Sequence, residues 1–296
     1  MFMSVLAVIP ARYGSSRFPG KPLALLQGRP VIQHVYERVA QARGVDEVVV
    51  ATEDERIVQA VERFGGVAML TSPAARSGTE RVAEVAQSRS QQVVINVQGD
   101  EPLVQPEMVQ QVAEFLERHR AVPMASLMTR LVREDEMANP NVVKVVVDRD
   151  GYALYFSRAP IPYVRPEFGA RDPGPGTRDE ESRGGFLRPP APGPRPQPMY
   201  KHIGLYGYQR RFLLQFRHLE PTPLEGLEQL EQLRALEHGF RIKLLETSHE
   251  TVGVDTPEDL KKVEAILQGP GTRDQGPGNS GLFSPAPGSM PPAPLR

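Results

Sequence analysis

The sequence predicts an α/β protein with a mostly parallel sheet, helices on both faces of that sheet, and an antiparallel addition in the second half. Short apolar runs alternate with longer stretches in which apolar residues recur at helical spacing. The apolar runs are continuous and do not alternate with polar residues, which indicates strands buried on both faces. Together these observations are typical of repeated strand–helix units.

Four strands and four helices alternate in the predicted first half. The predicted strands cover residues 4–9, 47–51, 67–70 and 93–97. The predicted helices cover residues 30–41, 54–64, 78–87 and 106–117. Gly65 and Gly66 are expected to end the second helix, and Thr79 is expected to be the N-cap of the third. Because crossovers between parallel strands are right-handed, the functional loops are expected at the carboxyl ends of the strands.

The second half has a mixed pattern, from which we predict the antiparallel addition. The predicted strands cover residues 142–147, 153–157, 202–208 and 241–245. The predicted helices cover residues 210–216, 224–237 and 257–267.

Two segments rich in proline and glycine set the domain organisation. The chain has 30 Pro and 26 Gly, and they are concentrated at residues 169–198 and 269–296. Regular structure does not continue through such a density of these residues. We therefore predict one folded domain over residues 1–268, with a disordered insert at about 169–198 and a disordered tail at 269–296.

The composition excludes several classes of protein. The formal net charge is -1, which argues against nucleic acid as a partner. The absence of cysteine excludes a disulfide scaffold, a cysteine nucleophile and a thiolate metal site. No apolar stretch is long enough for a membrane span, and the apolar segment near the start is too short for a signal peptide. We therefore expect a cytoplasmic protein without a membrane partner.

The segment after the first strand, PARYGSSRFPGKP, carries cations among small residues. Arg12, Arg17 and Lys21 supply positive charge, and Ser15 adds a hydroxyl group. Small residues let backbone N–H groups approach a ligand closely, so this segment favours binding of a polyphosphate. The alternative interpretation is an ordinary exposed basic loop.

Neither common phosphate-binding motif fits this segment. A Walker A loop requires four residues between its glycines and a Ser or Thr after its lysine. Here five residues separate Gly14 from Gly20, and Pro22 follows Lys21. A dinucleotide-binding G-x-G-x-x-G is also absent after this strand.

Two acidic segments are candidate metal sites. Asp100 follows the fourth predicted strand in NVQGDEP, at the end of the strand where an α/β fold places a metal-binding carboxylate, and Glu101 is the adjacent alternative. Asp255 stands in GVDTPEDL, before the last helix. The alternatives are an acidic turn for the first segment and a helix cap formed by Asp255 or Thr256 for the second.

These segments resemble the nucleotidyltransferases that activate acidic sugars with CTP, most closely the cytidylyltransferases of 3-deoxy-manno-octulosonate (Kdo). The resemblance spans residues 4–267, and the insert and the tail depart from it. It is carried in family order by IPARYGSSRFPGKPL, SGTERVAEV, INVQGDEP, NPNVVKVV, GYALYFSRAPIP, HIGLYGY, PLEGLEQLEQLR and GVDTPEDL. It implies a Rossmann-like nucleotidyltransferase fold, an antiparallel extension for dimerisation and sugar binding, and a homodimer. The implied reaction transfers CMP from CTP to the anomeric hydroxyl of Kdo. Its products are pyrophosphate and CMP-Kdo, which is used in lipopolysaccharide biosynthesis.

The same resemblance implies roles for individual residues. Arg12, Lys21, Asp100 and Asp255 form the implied catalytic set, in which the two aspartates bind Mg²⁺. Arg12 and Lys21 lie on the CTP phosphates, with Ser15 and Arg17 as weaker candidates. The implied readers of the base and ribose are Ser77, Gly78, Thr79, Glu80, Arg81 and Gln98.

For the sugar, the resemblance points to Arg158, His202, Tyr206, Glu231 and Gln232. His202 is equally well interpreted as a structural histidine, and Glu231 and Gln232 as part of a solvated helix face. No general base is assigned. Two other functions stay open, which are synthesis of another CMP-sugar acid, such as that of sialic acid, and a non-catalytic nucleotide-binding protein.

Overall fold

A nine-stranded mixed sheet forms the centre of the computed structural model, which describes residues 4–15, 17–163 and 199–268. The insert and the tail predicted at 169–198 and 269–296 lie outside the described residues. The strands in chain order are β1 Val5–Pro10, β2 Leu25–Leu26, β3 Arg29–Pro30, β4 Glu47–Thr52, β5 Ala68–Leu70, β6 Val93–Asn96, β7 Met124–Arg130, β8 Lys144–Val147, β9 Ala153–Ser157, β10 Tyr200–Gln209 and β11 Ile242–Glu246. The helices are α1 Val31–Ala40, α2 Glu55–Arg63, α3 Gly78–Gln87, α4 Pro106–Arg118, α5 Glu134–Ala138, α6 Arg210–Phe216, α7 Pro223–Glu228, α8 Gln232–Glu237 and α9 Pro257–Gln268.

The sheet is mostly parallel, as predicted. Its main path runs β11-β7-β10-β6-β1-β4-β5, and β2 pairs with β3 in a separate ribbon. Strand β1 pairs in parallel with β4 and β6, and β4 pairs in parallel with β5. Strand β10 runs antiparallel to both β6 and β7 and also pairs with β8, which forms an antiparallel pair with β9. The antiparallel addition is thus inserted within the sheet and extended by β8 and β9.

Helices cover both faces of the sheet and create two cores. Along β1, Val5, Ala7 and Ile9 pack into one core with α1, α2 and α4. Leu6 and Val8 pack into the other core with α3, α6 and α8. All five side chains are fully buried, which explains why the strand reads as a continuous apolar run.

Strand β7 was not expected from the sequence. Its segment MASLMTR contains Ser126 and Thr129, which interrupt the apolar run, yet both residues are buried. The Ser126 hydroxyl lies 2.8 Å from the Leu205 carbonyl oxygen and 3.2 Å from that of Ile203, at an irregular point of the β10 ladder. Tertiary hydrogen bonds therefore allow polar residues inside a strand whose surroundings are apolar.

Two helix predictions need correction. The helix expected over 224–237 is divided into α7 and α8, because Gln229 adopts a left-handed conformation with φ of 52°. The N-cap of α3 is Ser77, whose hydroxyl accepts the Glu80 N–H at 3.2 Å. Thr79 lies in the first turn of α3 and donates its hydroxyl to Glu231.

Candidate active site

A cavity of about 370 Å³ opens at the carboxyl ends of β1 and β6. Its lining is strongly cationic, since five basic side chains face two carboxylates there. The basic side chains are Arg12, Arg17, Lys21, Arg76 and Arg81, and the carboxylates are Asp100 and Asp255. This excess of positive charge suits a polyanionic ligand. We call it the phosphate cavity.

The loop between β1 and Lys21 is folded back on itself. Gly20 adopts φ of 71° and donates its N–H to the Tyr13 carbonyl at 2.9 Å. A Cβ at this position would also lie 3.1 Å from the Tyr13 ring, so glycine is favoured by both conformation and space. The turn directs Lys21 into the cavity, where 12% of its side chain is exposed.

Close backbone packing places Asp100 beside this loop. A Cβ at Gly99 would lie 2.7 Å from the carbonyl oxygen of Pro10, so only glycine lets the segment after β6 approach the end of β1. The carbonyl of Asp100 then accepts the N–H of Val254 at 2.8 Å. That hydrogen bond ties together the two segments that carry Asp100 and Asp255.

The two carboxylates converge on one ammonium group. Lys21 Nζ lies 2.6 Å from Asp100 Oδ2 and 3.1 Å from Asp255 Oδ1, and Arg17 lies 3.2 Å from Asp255 Oδ2. Lys21 is well shielded, whereas Asp100 is about one-third exposed and Asp255 about half exposed, so both carboxylates are accessible to a ligand.

The start of α9 resolves which residue serves as its cap. The Thr256 hydroxyl accepts the Asp259 N–H at 3.2 Å, and the Asp259 carboxylate accepts the Thr256 N–H at 3.1 Å. This reciprocal arrangement is a capping box. The Asp255 carboxylate is consequently not used by the helix and faces the basic side chains of the cavity.

Four of the six predicted nucleotide readers line the phosphate cavity: Ser77, Gly78, Arg81 and Gln98. Arg81 is buried and is fixed by an ion pair to Glu53 at 2.8 Å. The other two predicted readers face elsewhere. Thr79 donates to Glu231, and Glu80 pairs with Arg76 at 2.7 Å.

A second cavity, also of about 370 Å³, lies next to the first. Asp100 lines the phosphate cavity, and the next residue, Glu101, lines the second cavity. These two adjacent residues therefore form part of the boundary between the cavities. Three of the predicted sugar-binding residues line it: His202, Tyr206 and Gln232. We call it the sugar cavity because of that prediction. Burial and the neighbouring Asp100 charge raise the pKa of Glu101 to about 8.

The hydrogen bonds around His202 indicate which ring nitrogen carries the proton. The Ser126 hydroxyl donates its single hydrogen to a backbone carbonyl, so His202 Nε2, 2.8 Å away, donates its N–H to that hydroxyl oxygen. Burial lowers the pKa of His202 to about 3, so the ring is neutral at neutral pH. His202 packs against Phe156 and Tyr206 at ring-centroid distances of 5.0 Å and 5.2 Å. The ring is thus held in place by β7 while it lines the sugar cavity.

Arg158 and Glu231 are not among the residues that line the sugar cavity. Arg158 donates to the carbonyls of Glu228 at 2.7 Å, Pro140 at 2.9 Å and Gln229 at 3.3 Å. Glu231 accepts the Ser77 hydroxyl at 2.7 Å, and burial raises the pKa of its carboxyl group. Both residues instead connect the elements that surround the two cavities.

Lys201 was missed by the sequence analysis. It lines the sugar cavity and forms ion pairs with Glu136 at 2.7 Å and Glu250 at 2.8 Å. The available signal was its position directly before His202 in the motif HIGLYGY. Its two acidic partners come from distant parts of the chain, which no local pattern indicates.

The donor set at the phosphate cavity is compatible with a hard divalent cation. Asp100 and Asp255 offer carboxylate oxygens, the ligands that Mg²⁺ prefers. In the portions of the chain that the structure describes, no group of three or more His, Cys, Asp or Glu residues could hold a metal. Mg²⁺ is commonly held by one or two carboxylates together with substrate phosphates, and the pair fits that pattern.

The fold and this site define a nucleotidyltransferase of the α/β class. Residues 6–244 match the family model described as Cytidylyltransferase. Relatives with the name 3-deoxy-manno-octulosonate cytidylyltransferase are 49% identical over 261 residues in Geobacter sulfurreducens and 50% identical over 267 residues in Syntrophotalea carbinolica. The alignments cover 88% and 90% of this chain, and 98% and 100% of the relatives. The chain belongs to the 3-deoxy-manno-octulosonate cytidylyltransferase family.

A solved structure supports the same fold. It is described as CMP:2-keto-3-deoxy-manno-octonic acid synthetase complexed with CTP, and it is 41% identical to this chain with a TM-score of 0.77. The match covers 90% of this chain and 98% of that one, which confirms the predicted fold class. Among residues 4–15, 17–163 and 199–268, no helix is long and apolar enough to cross a bilayer.

Proposed function

We propose that this protein transfers CMP from CTP to the anomeric hydroxyl of Kdo, which yields CMP-Kdo and pyrophosphate for lipopolysaccharide biosynthesis. The observation that carries this proposal is the pair of adjacent cavities on either side of Asp100 and Glu101. One cavity has the charge for a triphosphate, and the other is lined by His202, Tyr206 and Gln232. Family membership supports the choice of both substrates.

In this proposal the cations of the phosphate cavity bind and orient the triphosphate. Arg12 and Lys21 contact the phosphates, with Ser15 and Arg17 on the same loop. The sugar hydroxyl oxygen forms a bond to the α-phosphorus, and the bond from that phosphorus to the oxygen that bridges it to the β-phosphorus breaks. The hydroxyl gives its proton to solvent water. Negative charge moves onto the departing pyrophosphate, where fixed cations stabilise it more than they stabilise bound CTP.

We propose that Asp100 and Asp255 hold Mg²⁺ at the phosphate cavity. When bound, the ion would neutralise phosphate charge and lower the pKa of the attacking hydroxyl. Lys21 lies within hydrogen-bond distance of both carboxylates, and its positive charge offsets the repulsion between them.

Recognition of the nucleoside is assigned to the start of α3 and the segment after β6. Ser77, Gly78 and Gln98 line the cavity, where backbone groups and the Gln98 amide are suited to contact the base, and Arg81 holds the neighbouring loop. Such groups distinguish the amino group of cytosine from the carbonyl of uracil. Thr79 and Glu80 contribute indirectly, through Glu231 and Arg76.

The sugar is assigned to the second cavity, with His202, Tyr206 and Gln232 as its direct contacts. A pKa of about 3 makes His202 a poor base at neutral pH, so we assign it to binding and not to proton removal. Arg158 and Glu231 act from behind the cavity by fixing its walls.

We also propose a homodimer and a cytoplasmic location. Within the described residues, β8 is the only strand that forms a ladder with β9, and Leu154 on β9 is 63% exposed. An exposed apolar residue on a sparsely paired strand favours association through this part of the sheet. A monomeric mass in light scattering at assay concentration would contradict the proposed dimer. The cytoplasmic location is supported by the need for CTP as a substrate.

Pyrophosphate release by the purified full chain tests the proposed reaction. We expect release that depends on Mg²⁺, on CTP in preference to ATP or UTP, and on Kdo in preference to sialic acid. Turnover with sialic acid but not Kdo would assign a different CMP-sugar acid. Binding of CTP without turnover of either sugar acid would favour a non-catalytic nucleotide-binding protein.

A further inference from the structure

The sugar cavity has an unusual balance of charge around Lys201. Glu136 and Glu250 line this cavity, and both of their carboxylates form ion pairs with Lys201. Among the described residues lining it, Lys201 is the only lysine or arginine, and His202 is neutral. An anionic sugar that enters this cavity therefore meets one ammonium group, which two carboxylates already contact.

Arg158 does not supply the missing positive charge. Its guanidinium group donates to three backbone carbonyls, those of Pro140, Glu228 and Gln229. It is absent from the described residues that line the cavity. A carboxylate placed in the sugar cavity thus has Lys201 as the available cation.

The two partners of Lys201 differ in a way that suits exchange. Glu136 and Lys201 are both well shielded, with 10% and 13% of their side chains exposed. Glu250 is 55% exposed, so separating it from Lys201 leaves that carboxylate in water at little cost. An ammonium group also has three N–H donors, and the two ion pairs use only two of them. The third N–H is left for a ligand.

We propose that Lys201 Nζ binds the carboxylate of the acidic sugar and determines that the substrate is an acid. Glu136 holds the ammonium group in place. Glu250 either keeps its ion pair with Lys201 when the sugar carboxylate binds or is displaced by that carboxylate. This inference rests on the proposed function, because it assigns a carboxylate-bearing sugar to the second cavity.

Substitution of Lys201 tests this role directly. We expect Lys201→Met to weaken binding of Kdo by roughly 10–100-fold, which is the loss of a charged hydrogen bond. The KM for CTP should change less than threefold, and Lys201→Arg should restore most of the Kdo affinity. Lys261→Met is the matched control, because Lys261 is an exposed lysine on α9.

The methyl ester of Kdo separates carboxylate recognition from general damage. Wild type should bind the acid much more tightly than the ester, whereas Lys201→Met should bind the two nearly equally. An unchanged preference for the acid in Lys201→Met would overturn the inference. If that variant does not fold, Lys201→Gln keeps a donor for Glu136 and permits the same comparison.

Glu250→Gln distinguishes substrate binding from a structural ion pair. If Lys201 binds the sugar, this variant keeps the ammonium group and should bind Kdo as well as or better than wild type. A loss equal to that of Lys201→Met would show that Lys201 acts only by fixing Glu250. Calorimetric binding of Kdo and CMP transfer are measured separately. If wild type binds Kdo but does not transfer CMP, the proposed function is contradicted and the role of Lys201 is not. If wild type does not bind Kdo, both the proposed function and the role of Lys201 are contradicted.

Discussion

Lys21 Nζ lies 2.6 Å from Asp100 Oδ2, although the two residues are 79 positions apart in the chain. The same ammonium group lies 3.1 Å from Asp255 Oδ1. Three separate segments of the sequence are thereby brought to one point of the phosphate cavity. Lys21 offsets the repulsion between the two aspartates and adds to the positive charge available for phosphate.

Removal of the Lys21 charge should impair catalysis more than folding. We expect Lys21→Met to lower kcat/KM for CTP by about 10²–10³-fold, because a fixed cation near the reacting phosphates is lost. Steady-state pyrophosphate release measures this change, and Lys261→Met is the control. Activity within threefold of wild type would remove Lys21 from the phosphate-binding set.

The packing at Gly99 should be intolerant of any side chain. A Cβ there would lie 2.7 Å from the Pro10 carbonyl oxygen, so Gly99→Ala must displace the segment that carries Asp100. We expect a loss of unfolding free energy of about 1–3 kcal/mol and a lower kcat. Denaturant unfolding measures the first effect. Gly226→Ala is the control, since a Cβ at Gly226 would have no heavy atom of the described residues within 4 Å. Equal stability of the two variants would refute this account of the packing.

The low pKa of His202 predicts a particular dependence of stability on pH. Because burial lowers the folded-state pKa from 6.5 to about 3, the neutral ring contributes stability above pH 6.5. That contribution is lost as the pH falls from 6.5 towards 3, since the unfolded chain binds a proton that the folded chain does not. His202→Gln keeps a donor for Ser126 but does not titrate. Its Tm should therefore fall less than that of wild type between pH 7 and pH 4.5, and parallel decreases would contradict the assignment.

Arg158 should influence both stability and sugar binding. Its guanidinium group joins the Pro140 carbonyl to those of Glu228 and Gln229. Pro140 and Gln229 directly precede Asn141 and Leu230, which line the sugar cavity. We expect Arg158→Ala to lower the Tm and to raise the KM for Kdo, with little change in the KM for CTP. A raised KM with an unchanged Tm would instead identify Arg158 as a direct contact of the sugar carboxylate.

The parts of the fold that the sequence could predict are those with local signals. The continuous apolar run of β1 and the capping residues at the start of α9 are examples, because their causes lie within a few residues. The motifs around Lys21 and Asp100 also stand out, since each combines charge with glycine directly after a strand.

The remaining features depend on contacts between distant segments. Strand β7 contains buried Ser126, whose partners are carbonyls of β10. Thr79 and Glu231 contact each other from positions 152 residues apart, which turns a predicted nucleotide reader towards α8. The partners of Lys201 likewise come from α5 and the segment after β11. Local patterns in the sequence carry no information about such pairs.

The central claim is that Asp100 and Asp255 together hold Mg²⁺ against the CTP phosphates. The most direct measurement is kcat for pyrophosphate release by Asp100→Ala and Asp255→Ala at saturating Mg²⁺, CTP and Kdo. Asp135→Ala is the control, because Asp135 is exposed and, among the described residues, forms an ion pair with Arg133 alone. We predict that each active-site variant keeps its circular dichroism spectrum and loses at least about 10³-fold in kcat. Activity within tenfold of wild type in either variant would contradict the claim.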